Sequence, residues 1–309
     1  MRVDERKLLR EIPSSSLFVS LRLSSSLILA FAACNRPPET PAPPARSGRV
    51  AVANRIRLFY EIQGQGDTLI LIHGGFTDRR MWNEQLDELS RDFTVIRYDL
   101  RGFGRSDFPS RPYRPSRDLL ALFDALTIGQ AAVVGLSSGG EVALSFTLGY
   151  PDRVTGLLLA SSPAVGLPVS PEDSARDLAI SEAVSSGGVD SGVAAWLRHP
   201  ALASLREKTE LANQMEFLVR ENEKFFGLPF QPFLPDDPPP SERLGEIRVP
   251  TIVVWGDRDT ETIQRNSAVT AERIPGARTV IMRGAGHMVN LERPGEFNRA
   301  VRDLMQRTD

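Results

Sequence analysis

Gly135, Ser137 and Gly139 set a serine between two glycines as G-x-S-x-G, straight after the apolar run 131–134 and straight before a helical pattern. So little chain between strand and helix forces a tight corner. Glycine on both flanks removes β-carbons that would clash there. The corner lifts the serine hydroxyl out of the turn, and the N-terminal N–H groups of the next helix aim at the same spot. Leu136 stands where the pattern would need glycine if Ser138 were the central serine, so the register selects Ser137. Such a hydroxyl can attack an acyl carbon once an imidazole takes its proton. The chain has three histidines, His73, His199 and His287. His287 ends Gly284-Ala285-Gly286-His287, a loop after the apolar run 279–282, where an imidazole can reach a serine. There it would accept the Ser137 proton and return it to the leaving group. His73 opens His73-Gly74-Gly75-Phe76 after the apolar run 69–72. Two glycines let this backbone swing over the neighbouring strand end. The N–H groups of Gly75 and Ser138 are assigned to the developing oxyanion, with Phe76 N–H as the substitute for Gly75. His73 itself reads as structural, bonding loop carbonyls. His199, between Arg198 and Pro200, reads as a solvated surface residue.

These groups need strands to carry them. Strands are expected at 50–53, 56–63, 69–72, 94–98, 131–134, 154–160, 251–255 and 279–282. The first two form a hairpin turned at Asn54-Arg55, and several later runs are fully apolar, as central parallel strands are. Helices are expected over 79–89, over 116–126 with Ser116 as its cap, from the serine corner to about 150, and from about 294. The loop Asp99-Leu100-Arg101-Gly102-Phe103-Gly104-Arg105-Ser106 lacks the third glycine of a dinucleotide site. It reads as a folded loop held by Asp99 and Arg101. From 164 to 246 the pattern changes to polar helical pieces with scattered large apolar residues, among them Leu178, Trp196, Met215, Leu218, Phe225 and Phe226, read mostly as packing.

The motifs His73-Gly74-Gly75, Asp99-x-Arg101-Gly102-x-Gly104-x-Ser106 and Gly135-x-Ser137-x-Gly139-Gly140 occur in this order at these intervals. Together they resemble the α/β-hydrolase superfamily, nearest the enol-lactone hydrolases, arylesterases and meta-cleavage C–C hydrolases, from about 50 to 307 apart from the middle insertion. The resemblance implies an α/β fold: a mostly parallel eight-stranded sheet flanked by helices, with a core of 49–163 and 247–309. A helical cap, 164–246, is inserted after the sixth strand. It implies a triad acid at the fourth position of Gly256-Asp257-Arg258-Asp259, hence Asp259, with Asp257 as the alternative. Ser161-Ser162-Pro163 after the sixth strand is neutral and supplies no acid. The order Ser137, Asp259, His287 is the order of this fold. The implied activity is that of a serine hydrolase cleaving a carboxylic ester or lactone, a small molecule, through an acyl-enzyme on Ser137. C–C bond hydrolysis of a vinylogous diketone, or acyl transfer and perhydrolysis, would use the same triad. A non-catalytic anchored binding protein on this fold is the reading from another class.

The 309 residues carry a formal net charge of −2, which leaves no electrostatic footprint for nucleic acid. One cysteine and three scattered histidines form no metal-ligand spacing, and no cofactor is expected. The start of the chain is basic, and residues 23–33 are apolar and end in small side chains, like a secretory signal. Phe31-Ala32-Ala33-Cys34 resembles a bacterial lipoprotein processing box. That implies a signal peptide over 1–33, lipidation of Cys34, a proline-rich tether over 34–48, and an exported, membrane-anchored protein facing the periplasm or cell exterior.

Overall fold

A computed structural model describes residues 46–51, 56–162, 164–228 and 232–308. The expected signal segment 1–33, Cys34, tether positions 35–45 and the Asn54-Arg55 turn lie outside the described residues. Eight strands form one sheet: β1 (Arg46–Ala51), β2 (Arg57–Gln63), β3 (Thr68–Ile72), β4 (Thr94–Tyr98), β5 (Ala131–Leu136), β6 (Val154–Ala160), β7 (Thr251–Gly256) and β8 (Arg278–Met282). Their spatial order is β1-β2-β4-β3-β5-β6-β7-β8. β1 and β2 pair antiparallel, as do β2 and β4, and every other neighbour pair is parallel.

The strands at the centre are apolar on both faces because helices cover both. On one face Leu69, Leu71, Val134, Leu158 and Val254 join one buried cluster, and on the other Ile70, Ile72, Val133, Leu159 and Val253 join a second. The alternation follows from the two-residue period of the strand. The first face packs against α1 (Asn83–Leu89) and the C-terminal helix α10 (Pro294–Met305), through Leu86, Leu89, Phe297 and Val301. The second packs against α2 (Pro115–Ala125) and α3 (Ser138–Gly149), through Leu119, Phe123, Ala143 and Phe146.

Between β6 and β7 the regular structure of the described residues is helical apart from one bridge, Tyr113 to Phe233. It comprises α4 (Pro171–Leu197), α5 (Ala203–Arg206), α6 (Thr209–Glu221) and α7 (Pro240–Arg243), with short 3-10 turns between them. α4 is kinked at Gly188, where φ is 77°. After β7 come α8 (Glu261–Arg273), β8 and the single turn α9 (Val289–Glu292).

Four local expectations change. β1 opens at Arg46, so positions 46–48 of the expected tether belong to the strand, where they pair with Ile62, Glu61 and Tyr60. α2 starts at Pro115, with Arg114 rather than Ser116 at its cap, because proline is pre-set for the first helical position and has no N–H to orphan there. The helix expected over 79–89 is divided into a 3-10 turn, Arg79–Trp82, and α1; Asp78 caps the turn by accepting from Arg80 N–H. Leu178 does not pack as expected of the insertion's large apolar residues: it is exposed on α4.

Candidate active site

The parallel strands deliver their C-terminal ends to one side of the sheet, where ligands of open α/β sheets gather. Ser137 follows β5 and opens α3 with φ 54° and ψ −125°, left-handed backbone that a side chain rarely adopts. Three bonds hold it there. Its N–H donates to Ala160 O at 2.9 Å, and its C=O accepts from Gly140 and Glu141 N–H at 2.8 and 3.1 Å. The flanking glycines are required by space. A β-carbon on Gly135 would run into the backbone of Gly139 and Gly140, and one on Gly139 into the carbonyls of Ile72 and His73.

Asp259 and His287 come from the loops after β7 and β8. His287 Nδ1 lies 2.9 Å from Asp259 Oδ2, and both side chains are buried. A carboxylate can only accept, so Nδ1 carries the proton and Nε2 is left as the acceptor. The second Asp259 oxygen accepts from Thr260 N–H at 2.8 Å. Burial alone would push the His287 pKa down. The charge and hydrogen bond of Asp259, with the charge of Glu292, outweigh it and hold the ring above its ordinary value. Asp257, the alternative acid, is exposed and accepts from Gly284 N–H at 2.6 Å, so it shapes the turn and does not bond the ring.

Ser137, His287, Gly75, Phe76 and Ser138 line one cavity of about 110 Å3, with Trp196 of α4 and Met215 of α6 on its insertion side. Among the described residues no hydrogen bond joins the Ser137 hydroxyl to the His287 ring; such contacts commonly shorten only when substrate is engaged. Ile72 pairs with Gly135 across β3 and β5, which puts the loop after β3 beside the serine corner. A β-carbon on Gly75 would lie 3.0 Å from Ser138 Oγ. Among the described residues the N–H groups of Gly75, Phe76 and Ser138 have no acceptor. Phe76 has φ 57°, a second strained residue in the same cavity. Its ring stacks on Phe226 at 4.0 Å and meets Trp196 at 5.2 Å, so the insertion packs directly on this loop.

A buried polar frame fixes these loops. His73 is fully buried; its Nδ1–H donates to Gly74 O at 2.8 Å and its Nε2 accepts from Leu100 N–H at 2.9 Å, so both nitrogens serve the backbone. Asp99 accepts from the N–H and Nη1 of Arg79 and from Arg105 N–H, while Arg101 pairs with Asp118. Asn222, after α6, donates to Asp78 Oδ2 at 2.9 Å and accepts from Gly104 N–H at 2.7 Å. Burial works against the charged form of Asp78, yet bonds from Arg80 and Asn222 win and hold its pKa down at about 2. Glu292 accepts from Gly286 N–H, one residue before His287, and from Ser204 Oγ.

His199 differs from expectation. It is buried, stacks on Trp196 with centroids 5.3 Å apart, and accepts from Ala201 N–H at 3.2 Å. The next turn of chain docks on the His287 loop, through His287 N–H to Ala201 O at 3.3 Å, and this docking draws His199 under cover. Sequence reasoning also missed Asn222, Asp78 and Glu292. The detectable signal was for Glu292, an acid in the otherwise mostly apolar run 288–292.

The chain is 27% identical over 288 residues to 2-hydroxymuconate semialdehyde hydrolase of Pseudomonas sp. (strain CF600), covering 85% of this chain and 95% of that one. Among solved structures, a thermophilic esterase from Thermogutta terrifontis superposes with a TM-score of 0.71 at 26% identity, covering 85% of this chain and 99% of the esterase. The enol-lactonase from Burkholderia xenovorans LB400 superposes with a TM-score of 0.69 at 26% identity, covering 84% and 100%. The sequence pattern of the alpha/beta hydrolase family matches residues 69–300, which span β3 to α10 and every residue of the cavity. By fold, by that match and by the order of its strand-end loops, the chain belongs to the alpha/beta hydrolase family.

Proposed function

We propose that the protein is a serine hydrolase that cleaves a carboxylic ester or lactone through an acyl-enzyme on Ser137. The observation that carries this is the 2.9 Å bond from Asp259 to His287, whose imidazole lines the same cavity as the strained Ser137. Ser137 Oγ attacks the acyl carbon while its proton passes to His287 Nε2. The developing oxyanion is held by Ser138 N–H and a second N–H from the loop after β3. The strain at Phe76 favours Phe76 over Gly75 for that second donor. Each donor is worth about 3 kcal/mol in the transition state. The C–O bond then breaks, and the alkoxide leaves with the proton from His287. Water, deprotonated by the same ring, adds to the acyl-enzyme and releases the acid and Ser137. Asp259 fixes the ring tautomer and stabilises the imidazolium. The esterase and enol-lactonase with the same architecture support this reading; the 2-hydroxymuconate semialdehyde hydrolase keeps C–C hydrolysis as the second reading.

The test is labelling with a fluorophosphonate, followed by a panel of aryl esters, lactones and a vinylogous diketone. Labelling at Ser137, ester or lactone turnover, and loss of both in Ser137→Ala are expected. An unchanged rate in Ser137→Ala rules the mechanism out. We further propose that Cys34 carries a lipid that anchors the exported protein, on the resemblance of Phe31-Ala32-Ala33-Cys34 to a lipoprotein processing box. Incorporation of labelled palmitate, abolished by Cys34→Ser, tests it. Among the described residues no helix is long and apolar enough to cross a membrane.

A further inference from the structure

A second and larger cavity, about 380 Å3, also has Ser138 in its wall. It lies between the first turns of α2 and α3 and the return of the insertion toward β7. Its walls are mostly apolar, with Val142, Val165, Phe233, Leu234 and Pro240 among them. Glu141 faces into it from the first turn of α3. Four residues from Ser137, Glu141 is the acid in a helix whose other described side chains are apolar or small and mostly buried.

Two other charged side chains line the cavity, and both are spoken for. Arg114 donates to Asp236 Oδ1 at 3.1 Å and to Pro235 O. Among the described residues the Glu141 carboxylate has no hydrogen bond and no ion pair. A helix N-terminus favours an acid, but that benefit is available on a solvated face and does not call for a carboxylate on an apolar wall. An unpaired charge in such surroundings is costly, and a cation brought by a ligand recovers the cost. Burial pushes the Glu141 pKa up to about 7, with no basic group near enough to offset it.

We infer that this cavity receives one side of the substrate, and that Glu141 selects for a protonated amine carried on an otherwise apolar group. The inference rests on the hydrolase reading for its kinetic test, and its binding test stands apart from that reading. Ser138 lines both cavities, so on this inference a group seated against Glu141 extends from the carbon that Ser137 attacks. An acidic substituent in the same place meets a like charge and is rejected.

The probes are two aromatic ester series, one varied on the alcohol side and one on the acyl side: 4-(aminomethyl)phenyl acetate and phenyl 4-(aminomethyl)benzoate, each beside its 4-ethyl and 4-carboxymethyl counterparts. In at least one series kcat/KM for the ammonium ester should exceed that of the ethyl ester tenfold or more, with the carboxymethyl ester slowest. Glu141→Gln should bring that ratio to near one, and Glu141→Asp, which keeps the charge, should retain most of it. Calorimetry on Ser137→Ala, which needs no turnover, should show benzylamine binding that disappears in Ser137→Ala/Glu141→Gln. Equal rates for the three esters, or a preference that survives Glu141→Gln, overturns the inference. Failure of every ester with benzylamine still bound through Glu141 overturns the ester reading and leaves the amine site standing. Loss of neither preference nor binding in the Gln variants overturns the amine site and leaves the ester reading standing.

Discussion

Asn222 of the insertion donates a 2.9 Å hydrogen bond to Asp78, a buried carboxylate in the loop after β3. Its amide oxygen takes up Gly104 N–H in the loop after β4, so one side chain ties the insertion to two loops of the sheet. Asn222→Leu takes the side-chain acceptor from Gly104 N–H and removes one partner of a buried carboxylate. Such losses cost about 1–3 kcal/mol. The expected result is a melting temperature lower by several degrees, read by calorimetry. The pH dependence of that loss is a sharper check. The Asp78 pKa is depressed to about 2, so its contribution is present above the unfolded value near 4 and fades as pH falls toward 2. The cost of Asn222→Leu should therefore shrink between pH 6 and pH 2.5. A cost that stays constant or grows in acid would show that Asp78 is not its source.

Asp259→Asn should lower kcat by about 10^3–10^4-fold, because an amide can donate to Nδ1 and so favours the wrong tautomer. Asp257→Asn should stay within a few-fold of the parent, since an amide oxygen can still accept from Gly284 N–H. Steady-state rates on one aryl ester compare the two. Equal losses would mean that the acid has been misassigned.

On the proposed mechanism activity should fall as pH falls, because His287 must be neutral to accept the Ser137 proton. Its pKa is raised, so the acidic limb of kcat/KM should lie above 6.5, the ordinary imidazole value. Glu292 contributes part of that rise by its charge. Glu292→Gln should move the limb toward lower pH, whereas a role limited to holding Gly286 N–H would change the rate and leave the limb in place.

Gly139→Ala should prevent soluble expression or cost well over 3 kcal/mol, since the new methyl meets the carbonyls of Ile72 and His73 with no flexible atom to yield. Gly149→Ala is the matched control on the same helix. Nothing lies within 4 Å of its added methyl, and it should stabilise by about 0.4–1 kcal/mol. Thermal unfolding of both variants measures the contrast.

What the sequence makes legible follows the range of the forces involved. Strands β3 to β7 announce themselves because burial on both faces leaves little room for polar side chains. The corner at Ser137 is legible because two close backbone approaches each demand glycine within a few residues. The loop carrying His287 is legible for a similar local reason. Asn222 and Asp78 are not, because their bond joins residues 144 apart and neither side chain is unusual beside its neighbours. His199 looks like surface, between an arginine and a proline, until the neighbouring Ala201 carbonyl docks on the His287 loop. The start of α2 is ambiguous in the sequence, because Pro115 and Ser116 both signal a helix start, and the proline takes the first helical place with Arg114 as the cap.

The strand order also sets a timetable. Ser137 leaves the ribosome with the middle of the sheet, while Asp259 and His287 follow on β7 and β8, the last two strands to be made and the outer two on that flank. At translation speeds of about 5–20 residues per second, the proposed nucleophile waits on the order of ten seconds for its proposed base. On the proposed mechanism a chain that lacks β7 and β8 is chemically mute, and the onset of turnover reports that roughly the final fifth of the polypeptide has found its place.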